Sequence, residues 1–122
     1  PVQRLTYRSP MEPVWLVSKG NVLASADLAT TRAERRRGLI GAAAVTTPLV
    51  LTPCNWVHSV GMRTTVDVAY VGADGAVLDI RTLRPFRVAP PNRRAVTVIE
   101  AARGSFERWG LAVGDEVEVR RP

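Results

Sequence analysis

The feature of this chain that most constrains its fold is a β-hairpin encoded between residues 66 and 81. Two apolar runs, residues 66–71 and 76–81, flank the four-residue turn Gly72-Ala73-Asp74-Gly75. An Asp-Gly pair in such a turn matches the right-handed twist of two antiparallel strands. The sequence therefore predicts an antiparallel hairpin here, and the other elements must be arranged around it.

Further strands are predicted on both sides of this hairpin. Short apolar runs at residues 14–17 and 22–25 flank a Gly- and Asn-containing turn, which predicts a first hairpin. Residues 49–52 and 95–101 each predict a buried strand. Residues 114–120 alternate polar and apolar side chains, as a half-exposed strand does. The proline-rich residues 85–91 predict an exposed excursion from the sheet.

Two helical segments are predicted, and both are short. Thr31 followed by Glu34 is a capping-box pattern, in which each side chain accepts a hydrogen bond from a backbone N–H group at the helix start. Gly38 would supply the left-handed residue that ends this helix. Residues 105–109 lie between two glycines and predict a single helical turn.

The order of these elements predicts an α+β fold with a small, mostly antiparallel sheet that is curled or barrel-like. One short helix follows the first hairpin, and the helical turn lies near the C-terminus. At 122 residues the chain is long enough for one real core and too short for two. We expect an irregular lead-in at residues 1–13 and a single domain at residues 14–122.

Composition excludes several classes of protein. Hydrophobic residues make up 46% of the chain and charged residues 23%, which argues against intrinsic disorder. No apolar run approaches the roughly 20 residues of a membrane-spanning helix, so no membrane span is expected. The single cysteine excludes an intramolecular disulfide. This slightly favours a cytoplasmic setting and leaves an exported mature domain open.

The net charge of +6 raises the question of nucleic-acid binding. The arginines are spread along the chain, however, with short clusters only at residues 35–37, 93–94 and 120–121. Attraction of a phosphate backbone needs charge focused on one face. The pattern argues against a nucleic-acid partner and favours a solvated basic surface.

The stretch from residue 54 to residue 67 concentrates the unusual side chains of the chain. It contains the only cysteine, Cys54, and the only histidine, His58, together with Trp56, Met62 and Asp67. Such a concentration indicates either a site or an unusually polar corner of the core.

This stretch has three functional interpretations. Cys54, His58 and Asp67 offer three metal ligands, but structural zinc usually takes four, so we expect no metal and no cofactor. The same residues could serve as nucleophile, base and orienting carboxylate, although no protease signature accompanies them. Finally, Trp56, His58, Met62 and Phe86 beside the proline-rich segment could line a shallow groove for a peptide or small ligand.

A structural interpretation competes with all three. A free cysteine such as Cys54 is among the most buried residue types, and Met62 is a typical core filler. Asp67 would be costly to bury alone. It should therefore accept hydrogen bonds from backbone N–H groups or pair with an arginine such as Arg63 or Arg81.

Several motifs, taken in order, resemble the bacterial and archaeal family called domain of unknown function 192. They are Ala26-Asp27 leading into Thr31-Arg32-Ala33-Glu34-Arg35-Arg36-Arg37-Gly38-Leu39, Val57-His58-Ser59-Val60-Gly61-Met62-Arg63 with Val66-Asp67-Val68, Gly75 with Val77, and Glu100-Ala101-Ala102-Arg103-Gly104 with Gly114-Asp115. The resemblance covers residues 22–120. It implies a shared fold and a shared His58–Met62–Asp67 cluster, and it lends no residue a catalytic role.

We therefore expect a non-catalytic accessory module that binds an unknown small molecule or protein through His58, Met62, Asp67, Trp56 and Phe86. The alternative is a small, hydrolase-like enzyme in which His58 and Asp67 perform acid–base chemistry, since imidazole titrates near neutral pH. A deep pocket faced by both residues would favour the enzyme. A filled core with Trp56 or Phe86 exposed would favour the module. The oligomeric state is left open.

Overall fold

The fold is a curled half-barrel sheet with very little helix. The computed structural model describes residues 11–37, 47–59 and 62–122. Their elements follow in the order β1 (Glu12–Ser18), β2 (Asn21–Ala29), α1 (Arg32–Arg37), β3 (Leu49–Leu51), β4 (Val57–His58), β5 (Val66–Gly72), β6 (Val77–Leu83), β7 (Val88–Ala89), β8 (Ala95–Ala102), α2 (Ser105–Trp109) and β9 (Glu118–Arg120). Helices α1 and α2 are only six and five residues long, so the sheet determines the architecture of the described part of the chain. No helix among them is long and apolar enough to cross a membrane.

Seven strands form the main sheet, in the order β6-β5-β8-β3-β2-β1-β9, and β4 pairs with β7 in a separate two-stranded sheet. Strands β2 and β3 are parallel. The other strand pairs in the described residues are antiparallel, which confirms the mostly antiparallel prediction.

The sheet curls because the segment before β9 returns to the start of β6. The backbone N–H of Val77 donates to Asp115 O, and that of Val117 donates to Gly75 O, each at 2.8 Å. Strands β6 and β9 lie at opposite edges of the main sheet. These hydrogen bonds therefore draw the two edges towards each other.

Strand β5 is buried at all seven positions. On one face, Ala69 and Val71 belong to a core cluster that also contains Phe106 of α2. On the other face, Val66 and Val68 belong to a second cluster that contains residues of β4 and β7. The sheet thus has two cores, one covered by α2 and the other by the β4–β7 sheet.

Both predicted hairpins are confirmed. Strand β1 begins at Glu12, inside the expected lead-in, and residues 1–10 of that lead-in lie outside the described residues. The first hairpin turns through Lys19 and Gly20, with φ of 53° and 77°. Positive φ at both central residues is the two-residue turn whose twist matches paired strands.

The predicted capping box is present at the start of α1. Glu34 N donates to Thr31 Oγ1, and Thr31 N donates to Glu34 Oε1, each at 3.1 Å. Hydrogen bonds from the backbone of Thr31 and Thr30 lower the pKa of the Glu34 carboxyl. The expected helix end at Gly38 lies outside the described residues.

Two predicted segments differ from what is observed. The last strand covers Glu118–Arg120 only, because residues 114–117 are used for the bonds to β6. The excursion at residues 85–91 contains β7, which pairs with β4. Two-residue strands show no periodicity in a sequence, so this pairing could not be predicted from the pattern.

Gly75 tests the closure of the sheet. It has φ of +86°, and a Cβ atom at this position would lie 3.0 Å from Val117 O. We expect Gly75→Ala to lower the free energy of unfolding by about 2 kcal/mol or more, since the left-handed conformation alone costs a residue with a Cβ about 1–2 kcal/mol.

The matched control is Gly20→Ala, because Gly20 has φ of +77° and nothing within 4 Å of the added Cβ. It should lose only the conformational contribution, about 1 kcal/mol. Urea denaturation measures both losses. Equal losses would show that the contact with Val117 does not constrain the closure.

Candidate functional site

The stretch rich in unusual side chains contributes one strand of the small sheet that lies over the second core. Val57 pairs with Ala89, and His58 pairs with Val88. Val57 and Ala89 are buried, whereas Val88 is exposed. Because paired residues share a face and successive residues alternate, His58 and Val88 lie on the outer face.

Ser59 fastens this sheet to the turn that follows β6. Its side chain is fully buried, and its Oγ donates to Arg84 O and accepts the backbone N–H of Arg87 at 2.7 Å. The Ser59 backbone N–H donates to Arg87 O at 2.7 Å, and its carbonyl accepts the N–H of Phe86 at 3.0 Å. These bonds hold Phe86 in a left-handed conformation, with φ of 62°.

Two aromatic rings are exposed beside the junction between Ser59 and the turn at residues 84–87. Trp56 is 47% exposed and Phe86 is 66% exposed. The Trp56 ring lies against that of His58, with 5.9 Å between the ring centroids and an angle of 43° between the planes. We call Trp56, His58, Phe86 and Val88 the aromatic patch.

The chain around the aromatic patch is positively charged. Residues 80–99 contain five arginines and no aspartate or glutamate, and residues 47–66 contain one arginine and no carboxylate. Arg84 and Arg87, on either side of Phe86, are both exposed. The patch is therefore an apolar surface with exposed arginines beside Phe86.

His58 itself is half-buried. Its Nδ1 atom is buried, and no residue in the described part of the chain forms a hydrogen bond with it. Buried polar atoms are nearly always paired, so an unpaired imidazole nitrogen is uncommon. In these residues the ring is positioned by packing against Trp56 and by strand pairing.

The structure separates Met62 from the patch. Met62 is buried in the second core cluster, beneath the small sheet. Its backbone N–H donates to Ser59 O at 3.0 Å. It supports the junction from inside the core, as the structural interpretation of the sequence expected.

Asp67 lies on the face of β5 opposite Val66 and Val68, because successive side chains of a strand alternate. Its Oδ2 accepts the backbone N–H of Gly104 at 2.8 Å, and its Oδ1 accepts the Thr82 hydroxyl at 3.2 Å. This confirms the expected backbone donor. The expected cluster of His58, Met62 and Asp67 is thus divided between an outer surface, the second core and the opposite face of the sheet.

Cys54 is partly buried, and its thiol donates to Trp56 O at 3.1 Å. Burial raises the pKa of this thiol, which keeps it protonated at neutral pH. A protonated thiol is neither a nucleophile nor a metal ligand. Among residues 11–37, 47–59 and 62–122, no three His, Cys, Asp or Glu side chains are grouped as metal ligands.

Glu100 is the most unusual carboxyl group in the described residues. It is only 2% exposed, and it is paired in the sheet with Val68 on one side and Leu49 on the other. Burial raises its pKa to about 7. No ion pair to Glu100 occurs in the described part of the chain.

Two residues of this site were missed in the sequence. Ser59 and Val88 have no unusual chemistry, and their roles depend on pairing between segments about 30 residues apart. The available signal for Ser59 was a small polar residue between His58 and Val60. That signal is common to many turns and is weak.

The sequence motifs and this fold can be compared with known proteins. A sequence model of domain of unknown function 192, described as "Uncharacterized ACR", matches residues 14–119. The chain belongs to this family. One similar protein is the UPF0127 protein of Pyrococcus furiosus. It is 35% identical over 65 residues, which are 53% of this chain and 56% of that protein.

The UPF0127 protein of Pyrococcus abyssi is 36% identical over 62 residues, 51% of this chain and 53% of that protein. The match thus spans about half the length of these relatives. Two solved structures share the fold of this member of domain of unknown function 192. One is a protein of unknown function from Novosphingobium aromaticivorans, with a TM-score of 0.73 and 21% identity, covering 91% of this chain and 93% of that chain.

The second is described as a "putative transcription regulator" from Sinorhizobium meliloti. Its TM-score is 0.77 at 20% identity, covering 93% of this chain and 97% of that chain. At these identities the likeness shows a common fold alone.

Asp67→Ala tests the buried carboxylate of β5. We expect it to lower the free energy of unfolding by about 2 kcal/mol, because the Gly104 N–H and the Thr82 hydroxyl lose a charged acceptor. Asp67→Asn, which keeps an oxygen acceptor, should lose less. Thermal and urea denaturation measure both. A fully stable alanine variant would instead indicate a functional carboxylate.

Glu100→Gln tests the buried carboxyl of β8. With a pKa of 4.5 when unfolded and about 7 when folded, the contribution of Glu100 to wild-type stability should be highest below pH 4.5. It should fall by about 3 kcal/mol as the pH rises through 7, because the unfolded chain ionises first. The glutamine variant lacks this titration, so it should gain on the wild type from pH 4.5 to pH 8. Parallel pH profiles would contradict the raised pKa.

Proposed function

We propose that this chain is a non-catalytic binding module and that its aromatic patch binds a segment of a partner protein. The segment would carry acidic and apolar side chains. The observation that carries this proposal is the exposure of two aromatic rings, Trp56 and Phe86, on a junction that is otherwise well fixed. A filled core beneath exposed aromatic residues is the arrangement expected of a module.

The side chains of the patch are those that protein interfaces favour. Tryptophan, phenylalanine and arginine are enriched in protein–protein interfaces, and tryptophan and arginine often dominate the binding energy. In the patch, Phe86 lies between Arg84 and Arg87 in the sequence. Small-molecule sites, by contrast, are usually concave. Exposed side chains on the outer face of a sheet therefore favour a protein segment over a small molecule.

The charge around the patch supports an acidic partner. Residues 80–99 contain five arginines and no carboxylate. Arg81 is ion-paired with Asp79, whereas Arg84 and Arg87, beside Phe86, are exposed and in no ion pair within the described residues. Complementary charge speeds encounter and suppresses wrong partners. A segment with aspartate or glutamate beside a large apolar residue matches both parts of the surface.

The ordering of the turn also supports the proposal. Ser59 makes hydrogen bonds to both Arg84 and Arg87, so Phe86 is presented on a fixed backbone. Binding then costs less conformational entropy than it would with a mobile loop. In this proposal His58, Trp56 and Phe86 contact the partner, while Met62 and Asp67 hold the scaffold beneath them.

The enzyme alternative has less support. It requires His58 and Asp67 to act together, but the Asp67 carboxylate is bonded to Gly104 and Thr82 on the other face of β5. Acid–base pairs need hydrogen-bonding reach between the two groups or to a shared substrate.

Selection of random peptides displayed on phage against the full chain tests the proposal. We expect the recovered peptides to share acidic residues beside an aromatic or leucine residue. The double variant Trp56→Ala, Phe86→Ala should bind these peptides at least about tenfold more weakly, as expected when interface aromatic anchors are removed. Affinities are measured by surface plasmon resonance.

The matched control is Trp15→Ala, since Trp15 is an exposed tryptophan on β1, in the main sheet and not in the β4–β7 sheet. This variant should keep the affinity of the wild type. Circular dichroism checks that all variants are folded. Peptides that bind the double variant as well as the wild type would overturn the proposal. Selection of uncharged peptides alone would overturn the acidic part of it.

A further inference from the structure

A cavity of about 430 Å³ lies beside α2, on the side of the molecule away from the small sheet. Its polar lining comes from Ser25 of β2, Thr47 before β3, and Ser105 and Arg108 of α2. Its apolar lining includes Trp109 and Pro48. Small-ligand sites usually have volumes of roughly 300–1,000 Å³, so this cavity is large enough for one.

The charge of the cavity is positive. Arg108 lines it, and among the described residues no aspartate or glutamate does. The Arg108 guanidinium donates to Ser105 Oγ at 3.2 Å and to Arg103 O at 3.4 Å. Neither acceptor is charged, and no carboxylate in the described residues is ion-paired with Arg108. A guanidinium has five N–H donors, so several are left for a ligand.

The neutral polar groups suit the same ligand. Ser25 and Thr47, which belong to two other segments, also line the cavity. A hydroxyl can donate a hydrogen bond to an anionic oxygen, and arginine binds carboxylate or phosphate through two parallel N–H bonds. Cation and hydroxyls together favour an oxyanion.

The apolar wall adds a second requirement. The Trp109 ring packs against that of Phe106, with 5.4 Å between centroids and an angle of 64° between planes. Phe106 is buried in the first core cluster, so the indole that lines the cavity is held in place. A flat apolar body could pack on this wall while the oxyanion meets Arg108.

We propose that this cavity is a binding site for a small organic anion, with a carboxylate or phosphate group at Arg108 and an apolar body against Trp109. The site is independent of the aromatic patch, because α2 covers the first core and the small sheet covers the second.

Tryptophan fluorescence provides a direct test. Trp15→Phe and Trp56→Phe leave Trp109 as the only tryptophan. In this background we expect benzoate or phenyl phosphate to change the emission saturably at millimolar concentration. Response to benzoate alone assigns the site to carboxylates, and response to phenyl phosphate alone assigns it to phosphates. Response to both supports the wider class of organic anions.

Phenol and inorganic phosphate are the ligand controls, because each has only one half of the proposed ligand. Both should bind more weakly than phenyl phosphate. Phenol binding as tightly would overturn the role of the anion, and inorganic phosphate binding as tightly would overturn the role of the wall. No saturable response to either organic anion would overturn the site.

Arg108→Gln should weaken binding at least about tenfold, since a charge-assisted hydrogen bond is lost. Arg103→Gln is the matched control, because only the Arg103 backbone carbonyl takes part. Since Arg108 also contacts Ser105, Ser25→Asp gives a second variant that leaves α2 intact and places a negative charge in the cavity. Wild-type affinity in both Arg108→Gln and Ser25→Asp would overturn the proposal.

Discussion

The rest of the structure depends on the burial of β5 on both faces. A strand of an antiparallel sheet usually has one solvent-exposed face, but all seven residues of β5 are buried. Each face therefore needs its own cover. Helix α2 covers one core through Phe106, and the β4–β7 sheet covers the other through Val57 and Ala89. Both candidate binding surfaces lie on these two covers.

Two-sided burial also governs the carboxyl groups of the central strands. Asp67 stays buried because Gly104 N–H and the Thr82 hydroxyl supply hydrogen bonds. The first ties β5 to the start of α2, and the second ties β5 to β6. Burial of Glu100 instead raises its pKa to about 7, so this carboxyl stays protonated at mildly acidic pH. A buried carboxyl group must find donors or lose its charge, and neighbouring strands of one sheet show both outcomes.

Local patterns in the sequence predicted local structure well. The Asp74-Gly75 turn and the Thr31–Glu34 capping box act within a few residues, so their chemistry is visible without the fold. The grouping of His58, Met62 and Asp67 in a cluster rested on closeness in sequence. Strand alternation and the tight turns of the chain send these three side chains to different places. Likewise, the bonds of Ser59 cross 28 residues and leave no local pattern.

The position of Ser59 explains how a small fold can keep an exposed aromatic surface. An exposed ring such as that of Phe86 contributes nothing to the stability of the free chain. Other groups must therefore hold the backbone of this residue in place. The buried hydroxyl and backbone of Ser59 supply those bonds to the turn at residues 84–87. Met62, packed below and bonded to the same carbonyl of Ser59, connects the turn to the second core. The unusual stretch that begins at Cys54 therefore mainly supports the turn at residues 84–87. In the proposed binding surface, the residues of this stretch that reach solvent, Trp56 and His58, act together with Phe86 of the turn.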